Sequence, residues 1–255
     1  STIYNVYFWD NDSVSWSWSL VFSNVYTRRD DLSNNTNFAS MDNSLVWYWD
    51  MDLLSSTWLI LDLSKNKMPW MLNWAVITNW KIKNWLYFDG VDDYFSTDLY
   101  SLWFSVNWSI ALWIKSDDNN NASVISIRTW LWVVNDDFLL YLSNGKLSLY
   151  NHKSAWNFNN IQSRKNINDW NWHFVVVEMK WSWICSAMDI YVDWIKGSYD
   201  CWVSWTPTDI NDVIRWVFIW KRNVGEEFKW YLDEVRIYNR VLSDLEIQSL
   251  YNLTK

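Results

Sequence analysis

The chain has 255 residues, half of them hydrophobic, with 26 tryptophans, four glycines, two cysteines and a formal net charge of −8. That acidic balance argues against nucleic acid as a partner, because phosphate binding needs clustered Lys and Arg and the pair Arg28-Arg29 is too little. No run of eighteen apolar residues occurs, so no segment is long enough to span a membrane as a helix. Residues 1–40 are rich in Ser, Asn and Asp and broken by short apolar pieces such as Val21-Phe22 and Val25-Tyr26. They read as a stalk or linker with a strand or two, followed by one domain over 41–255. With no initiator Met and no signal-peptide pattern, the start at Ser1 suggests a mature product or an excised fragment.

From Ser44 onward, β-branched and aromatic runs alternate with turn clusters. Strands are predicted over Leu45–Trp49, Leu86–Phe88, Ile110–Lys115, Val124–Arg128, Phe138–Leu142, Lys146–Tyr150, His173–Met179, Met188–Val192, Val217–Ile219 and Tyr231–Tyr238. Asn144-Gly145 marks a hairpin between two of them. Ser243-Asp244-Leu245-Glu246 is a capping box, and Leu242, Leu245, Leu250 and Tyr251 supply an apolar face for one short helix. These elements predict an all-β, two-sheet antiparallel sandwich or jelly roll with a C-terminal helix.

At roughly 7% average usage a chain of this length carries about eighteen glycines. Here tryptophan stands where turn chemistry wants glycine: Asn73-Trp74, Asn79-Trp80, Asn84-Trp85, Asn107-Trp108, Asp193-Trp194 and the run Ser15-Trp16-Ser17-Trp18-Ser19. Some bacterial lineages read UGA as glycine, while another code reads it as tryptophan. The deficit and the excess are then one event, and with glycine at Trp16 and Trp18 the Ser15–Ser19 run is a flexible linker.

The segment Asn79-Trp80-Lys81-Ile82-Lys83-Asn84-Trp85-Leu86-Tyr87-Phe88-Asp89-Gly90-Val91-Asp92-Asp93-Tyr94 resembles a signature of bacterial laminin-G-like, concanavalin A-like jelly-roll domains. Leu45–Asp50, Asp62–Asn66, Ser109–Lys115, Trp172–Val175 and Trp230–Ser243 resemble further segments of that family in its own order, so the likeness covers roughly residues 41 to 252. By this resemblance Trp49, Trp113 and Trp172 sit where the family has Trp. Trp47, Trp74, Trp80, Trp85, Trp194, Trp220 and Trp230 sit where it has Gly.

A tight turn carrying Asp89, Asp92 and Asp93 offers the hard oxygen ligands that calcium requires, with Asp233 as a further contributor. The competing reading has Asp89 accepting turn N–H groups and the other two facing water. Asp233-Glu234 makes a poor catalytic pair, since neighbours on a strand point to opposite faces. Glycoside hydrolases of the same fold carry an E-x-D-x-x-E strand, which is missing, and Glu178 has Lys180 two residues on. His152 and His173 lack a metal-ligand spacing. Cys185 and Cys201 fit equally a disulfide in an oxidising compartment or two separate thiols. Most Tyr and Phe at strand periodicity belong to the core, and Tyr199, following Gly197-Ser198, is the candidate for stacking on a sugar.

The resemblance therefore implies a non-catalytic, secreted or cell-surface module that binds a glycan or another surface polymer. A structural or protein-adhesion jelly roll with no sugar site is the first alternative, and a glycoside hydrolase the second.

Overall fold

Runs of alternating apolar and polar residues become strands throughout the computed structural model, which describes residues 3–7, 17–21, 44–51, 59–66, 70–73, 75–80, 83–98, 107–128, 138–154, 157–180, 185–203, 216–219 and 228–255. Two units are resolved, Ser1–Ser40 and Met41–Lys255. In the first, β1 (Ile3–Tyr7) pairs antiparallel with β2 (Ser17–Val21). Ser17-Trp18-Ser19, expected to be linker, thus has strand backbone.

The second unit runs β3 (Leu45–Trp49), β4 (Leu59–Ile60), β5 (Trp70–Asn73), β6 (Val76–Trp80), β7 (Lys83–Asp89), β8 (Tyr94–Asp98), β9 (Trp108–Lys115) and β10 (Ala122–Arg128). It continues with β11 (Phe138–Ser143), β12 (Lys146–Ser154), β13 (Asn157–Asn166), β14 (Trp172–Met179), β15 (Met188–Val192), β16 (Ile195–Lys196), β17 (Tyr199–Val203), β18 (Trp216–Ile219) and β19 (Lys229–Tyr238). Helix α1 (Asp244–Thr254) closes it. One sheet has the order β17-β13-β12-β11-β10-β18-β8-β5-β4, the other β16-β15-β14-β9-β19-β7-β6, with β3 also on β19. All of these pairings are antiparallel, and the two sheets form a jelly-roll sandwich.

Alternation builds the core between the sheets. Leu86, Phe88, Ile110, Leu112, Val175, Val177 and Leu232 from one sheet meet Leu140, Leu142, Leu147, Leu149 and Ile161 from the other, all fully buried. Trp108 reaches across to Phe138 edge-on, with centroids 4.5 Å apart. Although Asn107-Trp108 looked like a turn in sequence, Trp108 is a buried strand residue that fills the core.

The opposite face of the second sheet is covered in part by α1. Ser243 caps it and accepts from the Glu246 N–H, while the Glu246 carboxylate accepts from the Ser243 N–H, completing the expected capping box. Ile247 and Leu250 are buried, Tyr251 stacks on Trp113 at 5.7 Å, and Trp113 Nε1 donates to Thr254 Oγ1. Leu245, assigned in sequence to the apolar face, is 72% exposed. Two residues at 100° each place it nearly opposite Ile247 on the helix.

Candidate functional site

The predicted metal turn forms as a cluster. Asp89 ends β7, and Asp89, Asp92 and Asp93 bring carboxylate oxygens within 4.8 Å of one another. Part of that capacity is spent locally: Asp93 accepts from the Asp89 N–H at 2.6 Å, and Asp89 accepts from the Val91 N–H at 2.7 Å. Burial raises the Asp93 pKa, and the neighbouring Asp89 and Asp92 charges add to the rise, so a hard cation would relieve the repulsion. Asp233 is not part of this group. It lies on β19 opposite Trp113, and its carboxylate accepts from the Glu234 N–H at 2.7 Å.

The Asp233-Glu234 step is where strand alternation fails. The register slips between Asp233 and Arg236, and Glu234 takes a φ of 55°, so the simple opposite-face argument does not describe this bulge. Glu234 is buried, accepting from Tyr48 OH at 2.8 Å and from Arg236, which also lies over the Tyr48 ring. Glu178 is buried as well. Burial pushes its carboxyl up to about 7 against the Leu242 N–H and Ser109 Oγ that donate to it. Pairing of β14 with β15 sets Asp189 directly opposite Glu178, a neighbour that sequence separation hid. Asp189 is nevertheless held by Lys180 and by Lys196 at 2.8 Å. Glu178, Asp189, Asp233 and Glu234 are all buried.

Cys185 and Cys201 form a disulfide. It ties the 3-10 turn Cys185–Ala187, which leads into β15 of one sheet, to β17 at the edge of the other. Tyr199, expected to be exposed, packs half-buried against the core beside this bond, and its hydroxyl donates to the Cys185 carbonyl at 3.2 Å. The reason is that residues 199–203 are a strand rather than a loop, so the ring at 199 faces inward.

His173, near the start of β14, lies between two carboxylates. Its Nδ1 lies 2.9 Å from Asp193 and its Nε2 3.0 Å from Asp169. Burial lowers the His173 pKa, but the two carboxylates outweigh it and the net shift is upward. The imidazolium therefore contributes stability that is complete below the unfolded value of about 6.5 and is lost as pH rises through the raised folded value. Substituting His173→Gln is expected to cost about 2 kcal/mol at about pH 5.5 and less at about pH 8.5, measured by urea unfolding. An equal cost at both values would sink this assignment.

The second sheet's outer face also carries an aromatic row that sequence reasoning missed. Tyr87 on β7, Tyr231 on β19, Lys115 on β9 and Trp172 on β14 are paired neighbours across four strands. Trp85 packs edge-on against Trp172 at 4.7 Å, and Tyr231 lies 5.3 Å from Tyr87 and 6.2 Å from Trp172. Trp170 is 40% exposed beneath Lys115, whose ammonium sits 4.6 Å from its ring. All of the others are half-buried. Only the strand register could have revealed this row, since its members are spread from residue 85 to residue 231.

No curated protein matches the chain. Among solved structures, it is similar to the binding domain of Paraclostridial Mosquitocidal Protein 1, with a TM-score of 0.62 and 14% identity over 83% of this chain and 52% of that one. It is similar to the binding domain of botulinum neurotoxin DC in complex with rat synaptotagmin II, with a TM-score of 0.63 and 13% identity over 84% and 52%. A third is the botulinum neurotoxin serotype D ligand binding domain in complex with N-acetylneuraminic acid, at 0.62 and 15% over 85% and 52%. The chain spans about half the length of these domains, and at such identity the likeness is one of fold. The family model described as the concanavalin A-like lectin/glucanases superfamily matches residues 89–248, and with the six ordered motifs and the two-sheet sandwich already in place, the chain belongs to that family.

Proposed function

We propose that this chain is a non-catalytic, extracellular module that binds a glycan on a cell surface, with the aromatic row around Tyr231 as its platform. The row carries the reading: rings presented side by side on a rigid sheet stack on pyranose faces, and Lys115 supplies a cation to fix orientation. Support comes from the fold neighbours, which are binding domains, one of them in complex with N-acetylneuraminic acid. Asp89, Asp92 and Asp93 fit calcium in charge and spacing, and we assign them an accessory role in ordering their turn. The glycoside hydrolase alternative finds no support in the acids described above.

The test is titration of the protein with a glycan panel that includes N-acetylneuraminic acid. Tyr231→Ala is expected to weaken binding about tenfold, the equivalent of about 1.4 kcal/mol. EDTA is expected to lower the melting temperature. An unchanged melting temperature discards calcium, and unchanged affinity in Tyr231→Ala discards the platform. Failure to bind any glycan with retained cell adhesion transfers the module to protein adhesion, a reading favoured by the exposed Trp202 and Val203 on edge strand β17 and by the neighbour in complex with rat synaptotagmin II.

A further inference from the structure

Two turns of the same design carry different residues. Asn144-Gly145 joins β11 to β12 as a two-residue connection, with φ of 51° and 73°. Asp193-Trp194 joins β15 to β16 in the same way, with φ of 54° and 63°. Positive φ at both central positions matches the right-handed twist of the flanking strands, and Asn-Gly or Asp-Gly is the pair that supplies it. Glycine does so without a Cβ clash, whereas a bulky L-residue there is an outlier.

Trp194 is 40% exposed there. Trp170 is the second such case, with a φ of 64° and the same exposure, between Asp169 and Asn171 in the turn before β14. Of the described glycines, Gly90 and Gly145 also adopt positive φ, so this protein does use glycine where the backbone demands it. By contrast Trp49 is fully buried, and Trp113 stacks on Tyr251 and donates to Thr254. Trp47 and Trp108 are buried in strands, so the backbone gives no reason to include them despite their sequence contexts.

We infer that Trp170 and Trp194 stand where the organism's own protein has glycine, each written as tryptophan because a UGA codon was read under the wrong code. The inference is independent of the glycan reading but redraws its site. With glycine at 170, Lys115 loses the ring it covers, and Tyr231 exchanges an aromatic neighbour at 6.1 Å for open solvent. The native platform is then centred on Tyr87, Tyr231 and Trp172, with Lys115 free to meet an anionic group of the ligand.

The gene and the protein from its source organism test this together. UGA is expected at 170 and 194, with peptide masses that carry glycine at both, while 49 and 113 show UGG and tryptophan masses. UGG at either position overturns the inference there, and so does UGA accompanied by a tryptophan mass. Glycan titration of Trp170→Gly is a separate measurement: loss of binding in that variant counts against the Tyr87–Tyr231–Trp172 platform and leaves the codon result untouched.

Discussion

Replacing Arg236 by alanine is expected to destabilise the domain by about 3–5 kcal/mol, a large part of the roughly 5–15 kcal/mol that holds a domain folded. Arg236 and Glu234 are only 2% and 1% exposed. Burial opposes the charge on Arg236, and the adjacent Tyr48 and Glu234 oxygens outweigh it, so the guanidinium stays ionised. Its Nη1 also donates to the Glu234 carbonyl at 3.1 Å, and its plane lies 3.9 Å from the Tyr48 centroid. Removing it leaves the buried Glu234 carboxylate without its cationic partner. The position is central, because β19 pairs with β3, β7 and β9. Urea unfolding should show the full loss in Arg236→Ala and recovery of most of it in Arg236→Met combined with Glu234→Gln, since apolar or neutral replacement of both partners is near neutral. A single-variant cost below about 1 kcal/mol would show that the pair is solvated.

All ten strands expected from alternation form, and the capping box and the Asn144-Gly145 turn form too, because each depends on residues close in sequence. What escaped depends on register or on context. β13 reads Asn-Phe-Asn-Asn-Ile-Gln-Ser-Arg-Lys-Asn, with no apolar alternation, and becomes a strand because β12 and β17 supply ladders on both sides. Ile161 anchors it in the core, while Gln162 bonds to Ser148 on β12 and Asn160 to Tyr141 on β11 beyond it. Tyr199, expected to be exposed, is half-buried for the same reason: pairing with Ser163 turned an expected loop into a strand. The Asp89-Asp92-Asp93 cluster lies in one contiguous turn, so its geometry was legible. The aromatic row draws on four strands, and no spacing along the chain encodes which of them become neighbours.

Breaking the Cys185–Cys201 bond is expected to cost about 3 kcal/mol, from the chain entropy of closing a loop with a sequence separation of 16. The two cysteines sit on different layers: one precedes β15, the other lies on β17, whose residues Cys201, Trp202 and Val203 are exposed. An edge strand held on one side by β13 alone frays readily, so the bond's main service is to fasten β17 and keep Tyr199 against the core. Cys201→Ser should therefore lower global stability by that amount and raise hydrogen exchange first in residues 199–203, ahead of β11 and β12. Two titratable thiols in the native, unreduced protein would remove the bond. A bond of this kind persists where the surroundings are oxidising, which supports an extracellular setting for the module. Reduction that loosened β17 while glycan affinity at Tyr231 stayed constant would separate the two ends of the domain. The edge would then be a structural element, and the sheet face around Tyr231 the binding one.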